Sequence, residues 1–203
     1  MDREHARRWD RLAPRYDQLS AGMERRLLAA SRPWVAGRAV GRVLEVGVGT
    51  GANLPHYPVG VELTCLERSA AMLAQARRRA SDLGLQVDFV HGDAGAMDLP
   101  DGAFDTVVST FTLCCVPDLD LALREMTRVL RPGGSLLLAD HVASSRWWVR
   151  AGQAAADTVS VPLAGEHFGR RPRAHLGALG LEVLDSERTA LGVIERVHAR
   201  HPG

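Results

Sequence analysis

The stretch from Arg42 to Ala52, RVLEVGVGTGA, constrains the fold of this chain more than any other. Val43, Leu44, Val46 and Val48 make a short apolar run rich in β-branched residues, which reads as a buried strand stopping at a sharp turn. Gly47, Gly49 and Gly51 follow at every second position. Lacking a Cβ, such residues accept positive φ and let the backbone lie directly against a ligand. Asn53 to His56 then open a helix whose N-terminal amides face the same crevice. Strand, glycine turn and helix together form the nucleotide-binding corner of an open α/β sheet.

The rest of the chain supports that frame. Strands are predicted at 61–66, ending against Glu67, and at 86–91, closed by Gly92-Asp93-Ala94. Further strands follow at 104–110 and 135–140, with helices at 69–83, capped by Ser69, and at 119–130. Alternating strands and helices mean right-handed crossovers and a parallel sheet. Two closing strands at 181–186 and 191–198 form a hairpin at the sheet edge. The expected fold is α/β and Rossmann-like: seven strands, mostly parallel, helices on both faces, the last strand antiparallel. One domain should span 1–203. Its parts are a helical cap (1–37), a ligand-binding half (38–141), an acceptor-side lid (142–172) and a closing helix and hairpin (173–203). The cap reads as one or two amphipathic helices broken near Pro14 and Gly22. It either covers the sheet edge or acts as a lid, with Tyr16 reaching in.

Composition excludes several function classes. A net charge of +1 gives no electrostatic case for nucleic acid. All 25 basic residues are arginine, which removes a lysine Schiff base, a lysine general base and the P-loop lysine. Cys65, Cys114 and Cys115, without C-x-x-C spacing, argue against a disulfide scaffold or a zinc site and fit a reducing, cytoplasmic compartment. No metal is expected. No 18-residue apolar run exists and the N-terminal stretch is polar, so neither a membrane span nor a secretory signal is expected, while peripheral membrane contact stays open.

The glycine turn alone leaves two ligands open, because Gly47, Gly49 and Ala52 satisfy G-x-G-x-x-A and Glu67 stands where an acid binds a ribose diol. An NAD-dependent oxidoreductase is therefore one reading. Three features favour another. Glu45 lies inside the strand, and a carboxylate there must meet donors or a cation; it would repel a pyrophosphate but not an ammonium or sulfonium. Asp93 can accept from an exocyclic amine while the Ala94 amide donates to a ring nitrogen. The half after Phe104 supplies acceptor-site material in place of a second mononucleotide unit.

The segments LEVGVGTGANLPHY, LERSAAML, GDAGAMDLPDGAFDTVVSTFTLCCVPD and REMTRVLRPGG resemble the motifs of class I S-adenosylmethionine-dependent methyltransferases. The resemblance spans about residues 9–140 and is closest to the ubiquinone/menaquinone-type enzymes and the small phospholipid- or thiol-methylating group. The tail LAGEHFGRRP…GVIERVHARHP is similar to that last group. A polar N-terminal stretch departs from its membrane-anchored members. The resemblance implies methyl transfer from S-adenosylmethionine, leaving S-adenosylhomocysteine, to N, S or O of a small-molecule acceptor. It places Gly47, Gly49 and Gly51 under the methionine part, with Glu45 at that end of the pocket and Tyr16 closing over the carboxylate. Glu67 then holds the ribose, Asp93 and Ala94 face the adenine, and Thr110 and Phe111 line the wall near the sulfonium. Asn53 and His56 are weaker candidates. A non-catalytic cofactor-binding module is the remaining alternative.

Acceptor-side residues each carry two readings. His141, after the fifth strand and beside Asp140, is either a base or acceptor-orienting group or a strand-end histidine satisfied by backbone. His167, with Glu166, carries the same choice. Trp147 and Trp148 either wall the acceptor pocket, one of them at most, or pack an extra helix. Cys114 and Cys115 point to opposite sides of an extended chain and read as buried small hydrophobes. Arg170, Arg171 and Arg173 read as a solvated face or an attractor of acidic groups. Neither the acceptor nor the oligomeric state follows from these residues.

Overall fold

The computed structural model describes the backbone of residues 2–203 and, outside residues 2–5 and 162–164, the side chains. Seven strands form one sheet in the order β3-β2-β1-β4-β5-β7-β6. They are β1 (Arg42–Val46), β2 (Glu62–Glu67), β3 (Val87–His91), β4 (Phe104–Thr110), β5 (Leu130–His141), β6 (Glu182–Thr189) and β7 (Ile194–Arg200). The first five run parallel, and β7 lies antiparallel between β5 and β6. The expected Rossmann-like architecture is therefore present, hairpin included.

Alternating residues of the central strands feed two cores, as a sheet covered on both faces requires. Leu44, Val46, Val107, Leu136 and Leu138 pack on one face with α5 (Leu119–Val129), through Leu123, Met126 and Val129. Val43, Cys65, Val108 and Leu137 pack on the other with Leu73, Ala76 and Ala80 of α4 (Ala70–Asp82) and Val35 of α3 (Ser31–Ala36). Ser69 and Asp118 cap α4 and α5, accepting from the Met72 and Leu121 amides.

The cap is helical almost throughout: α1 (Asp2–Leu12), a 3₁₀ turn at Pro14, α2 (Tyr16–Met23), a π-turn at Glu24–Leu28, then α3. Pro14 breaks it as expected, and the irregular turn follows Gly22. Two acids fasten it to the sheet. Asp10 accepts from the Ser69 hydroxyl (2.6 Å) and the Ala71 amide (3.1 Å) at the start of α4, where the helix dipole favours a carboxylate. Asp17 accepts from the Thr50 hydroxyl (2.7 Å) in the glycine turn.

Two local expectations fail. No helix follows the glycine turn: Leu54–His56 is a single 3₁₀ turn, the Asn53 side chain does not cap it, and Tyr57 is already extended. Asn53 is drawn instead into a tertiary network described below. Beyond β5, α6 (Trp147–Ala164) and the short α7 (Arg173–Leu176) precede the hairpin. Neither tryptophan of α6 enters a core or the cleft; Trp147 is 74% exposed and Trp148 51%.

Candidate functional site

The strand order reverses between β1 and β4, and a cleft opens there at the carboxyl ends of the parallel strands, the place where open α/β sheets bind ligands. Tyr16, Glu45, Gly47, Gly49, Glu67, Asp93, Ala94, Thr110 and Phe111 all line it. Gly51 does not. Its backbone is left-handed (φ +84°), and a Cβ there would lie 2.8 Å from Leu54 and 3.2 Å from Ala76, so it serves the packing of the turn on α4. Gly47 (φ +76°) is equally obligatory: a Cβ would collide with the Thr112 side chain.

Each carboxylate of the cleft is held. Glu67 accepts from the Gly49 amide with one oxygen (2.9 Å) and from the Arg68 and Ser69 amides with the other (2.9 and 2.8 Å). Burial still raises its pKa, against those three amides. Asp93 accepts from the Gly95 amide (2.9 Å) and pairs with Arg68 (3.2 Å).

Glu45 is buried beneath the turn. It accepts from Asn53 Nδ2 (2.8 Å) and the Tyr57 hydroxyl (3.0 Å). Burial pushes its carboxyl up to about 7, opposed by Tyr57, Asn53 and the charge of Arg32. Asn53 also donates to Thr110 Oγ1 (2.9 Å) and accepts from Arg32 Nη1 (2.9 Å). Arg32 in turn holds Glu24 through two parallel bonds of 2.6 and 2.7 Å. Glu24, Arg32, Asn53, Glu45 and Thr110 thus form one polar chain from the cap to the floor of the cleft. Asn53 acts within that chain, and His56 lies outside the cleft lining. Sequence reasoning missed Arg32, although the buried Glu45 signalled that donors or a cation were required.

Across the cleft stand rings and a thiol. Tyr16 packs edge-on against Trp9 at 6.0 Å, and burial raises its pKa. Phe111 sits at φ +54°, rare for a non-glycine residue, with its ring 5.7 Å from the Arg32 guanidinium. Cys115 completes the wall. The expectation that Cys114 and Cys115 diverge is overturned: residues 113–115 form a turn and the two sulfurs lie 3.5 Å apart. Divergence holds only in extended backbone.

Neither candidate histidine lines the cleft. His141 stands behind Phe111 (ring centroids 5.1 Å) and against Phe168 (5.6 Å), and burial lowers its pKa to about 4. His167 donates its amide to the Cys114 carbonyl (2.8 Å). Asp140, raised to about 6 by burial, accepts from the Leu113 (2.6 Å), Cys114 (3.3 Å) and His141 (2.8 Å) amides and so fixes the turn after β4. Cys114, Asp140 and His141 present possible ligand atoms within 4.8 Å of one another, a grouping their spacing did not reveal. The reading of Arg170 as a solvated side chain also fails. Its guanidinium donates to the Leu113 and Val116 carbonyls, both at 2.6 Å, and to Pro117 at 3.4 Å.

Known proteins share the sequence and fold around this cleft. Residues 44–138 match the methyltransferase domain family. A phosphatidylethanolamine N-methyltransferase of Cereibacter sphaeroides is 43% identical over 108 residues, covering 52% of this chain and 53% of that one. A demethylmenaquinone methyltransferase of Renibacterium salmoninarum is 37% identical over 142 residues, covering 68% and 58%. A human thiol S-methyltransferase is 33% identical over 137 residues, covering 65% and 56%. The chain thus spans little more than half the length of these relatives. Among solved structures, a possible histamine N-methyltransferase from Thermotoga maritima shares the fold, with a TM-score of 0.70, 20% identity and coverage of 96% and 99%. Residues 44–138 thus form a class I S-adenosylmethionine-dependent methyltransferase domain, similar to those of the menaquinone, phosphatidylethanolamine and thiol methyltransferases.

Proposed function

We propose that this protein moves a methyl group from S-adenosylmethionine to a nitrogen or sulfur of a small-molecule acceptor. The observation that carries the reading is the row of acids along the carboxyl ends of the first three strands: Glu45 under the turn, Glu67 beside it, Asp93 beyond. Glu67 would take the ribose hydroxyls on lone pairs its three amide donors leave free, and Asp93 with Ala94 would face the adenine. Gly47 and Gly49 would carry the methionine part, with Glu45 and Arg32 meeting its ammonium and carboxylate. Tyr16, Thr110 and Phe111 would close around the sulfur.

When bound, S-adenosylmethionine supplies a methyl carbon already activated by its sulfonium. The protein's part is to exclude water and hold the acceptor in line, which can account for much of the rate. Among the described residues lining the acceptor side of the cleft no ready base stands: burial raises the Tyr16 phenol, and the Cys115 thiol, although the Cys114 hydrogen bond lowers it, is raised on balance by burial and the nearby charges of Glu166 and Asp140. Glu45 and Glu67 are committed to the hydrogen bonds above. That environment suits a neutral amine, which attacks without losing a proton first, or a thiol that ionises easily, better than an alcohol. The relatives include one named for an amine lipid and one named for thiols.

Calorimetry tests the cofactor. S-adenosylhomocysteine should bind and NADH should not; uptake of NADH alone would restore the oxidoreductase reading. A screen of amines, thiols and phenols for S-adenosylhomocysteine release tests the acceptor class. Turnover confined to phenols would overturn the choice of nitrogen or sulfur, and cofactor binding without turnover on any acceptor would favour a non-catalytic module.

A further inference from the structure

Helix α6 is built inside out. The side chains it turns toward the protein are mostly polar. Gln153 accepts from the Ser144 amide (2.8 Å) and donates to the Val142 carbonyl (2.8 Å). Asp157 accepts from the Phe168 (2.8 Å) and Gly169 (3.2 Å) amides, and Ser160 donates to the Glu166 carbonyl (2.9 Å). The opposite face is apolar and bare. Trp147 is 74% exposed, Trp148 51% and Val159 59%, and Ala151, Ala154 and Ala155 are exposed as well. At 3.6 residues per turn these six positions fall within one arc of about 140°, whose one polar member among the described residues, Thr158, donates its hydroxyl to the Ala155 carbonyl of the same helix (2.7 Å). An ordinary surface helix shows the reverse pattern.

Charge indicates what covers this face. Arg146 and Arg150, both exposed, stand at the tryptophan end. The only acid in α6, Asp157, is turned inward and held by two amides. The tryptophan end of the helix therefore carries two exposed positive charges beside the apolar arc, and no acid of α6 lies within that arc. A second copy presenting the same face offers no acid to pair with these arginines. An anionic bilayer meets both requirements, taking indole rings at its headgroup boundary and drawing arginines to its surface potential. We propose that the outer face of α6 docks on an anionic lipid surface, with Trp147 and Trp148 at the headgroup level and Arg146 and Arg150 against the phosphates. No helix among the described residues is long and apolar enough to cross a membrane, so contact of this kind is peripheral.

Vesicle sedimentation tests the proposal with the full chain. Phosphatidylcholine vesicles containing about 30% phosphatidylglycerol should carry the protein down and shift its tryptophan emission to the blue, far more than phosphatidylcholine alone. A Trp147→Ser/Trp148→Ser variant should bind at least about tenfold more weakly. An Arg146→Glu/Arg150→Glu variant should lose about fivefold or more per arginine on the anionic vesicles. All four side chains are exposed, so unchanged melting temperature and S-adenosylhomocysteine affinity would show that fold and cofactor site survive. Failure of the wild type to bind anionic vesicles would overturn the proposal. So would undiminished binding by the tryptophan variant, or a wild-type dimer in ultracentrifugation that this variant dissociates.

Discussion

The two walls of the cleft are made in different ways. On the side of β1, β2 and β3, each charged side chain meets a fixed partner close in the fold: Glu67 on three amides, Asp93 on Arg68, Glu45 on Asn53 and Tyr57. On the side of β4 and β5, the functional surface is a turn at 111–117 held from behind. Asp140 takes its amides and Arg170 its carbonyls, while rings and a thiol face the opening. The first wall is a set of aimed charges and the second is a shaped surface. Aimed charges suit a ligand common to a family, and a shaped surface suits an acceptor that differs between members. Substitutions should therefore separate cofactor binding from acceptor turnover.

The largest effect is expected at Gly47. A valine there forces a β-branched residue to φ +76° and pushes a Cβ into Thr112. That should cost about 2–4 kcal/mol of stability, and at least about a hundredfold in S-adenosylhomocysteine affinity if the turn is displaced by an ångström. Calorimetry and thermal melting check both. Full affinity in a Gly47→Val protein would mean the turn does not carry the ligand. Glu67→Ala comes next, at about tenfold or more, because it removes the proposed ribose acceptor and also frees the Gly49, Arg68 and Ser69 amides. Unchanged affinity would detach the ribose from β2.

A smaller effect on the same wall is set by pH. With its carboxyl raised to about 7 by burial, Glu45 is increasingly protonated below neutrality and loses its attraction for an ammonium. Binding favours the charged form, so affinity should climb as pH rises toward 7 and level off above it, by less than tenfold per unit. Glu45→Gln should flatten that slope. Arg32→Ala removes a charge that lowers the Glu45 pKa and should move the plateau to higher pH. An identical slope in Glu45→Gln would show that another group titrates.

The contrast between the walls also explains what the sequence revealed. The strand periods, the glycine turn, Glu67 and Asp93 were all legible, because each lies at a fixed short offset from its own strand end. Arg32 was not. A buried Glu45 announces that it needs donors or a cation, but any of 25 arginines could supply the charge, and the one that does comes from the helical cap and bonds Asn53. Asn53 looked like the start of a helix, yet its side chain is used up by Glu45, Thr110 and Arg32. Arg170 looked solvated because nothing local marks the three carbonyls it serves, more than fifty residues earlier in the chain. The turn that brings the Cys114 and Cys115 sulfurs together is fixed by Asp140, another distant residue. Local chemistry was readable; contacts between separated loops were not.

Arg170→Ala turns that distinction into a measurement on the acceptor wall. Three carbonyls of the 113–117 turn lose their donor, which should cost about 1–3 kcal/mol of stability. S-adenosylhomocysteine affinity should stay within about threefold, while turnover on any acceptor falls further. A parallel loss of both would show that the two walls are one unit.

His141 should matter least to cofactor binding. It touches Phe111 and Phe168 from behind, and burial holds its imidazole neutral down to about 4. Its folded pKa lies below the ordinary histidine value of about 6.5, so the unfolded chain takes up the proton first as pH falls. The wild type therefore loses stability between about pH 6.5 and 4 through this group, and His141→Ala removes that loss. The variant should be destabilised at pH 7.5 by the lost packing, and the gap should narrow by about 1–2 kcal/mol at pH 5. Asp140, raised by burial, titrates with the opposite sign, but it is present in both proteins and largely drops out of the difference. S-adenosylhomocysteine affinity should move only as far as Phe111, which would lie near the sulfur, loses its backing. Turnover should fall only as far as Phe111 loses its support, and Phe111→Leu should reproduce that fall. A collapse of turnover in His141→Ala that Phe111→Leu does not share would place the imidazole at the acceptor, and the shaped wall would then hold a base after all.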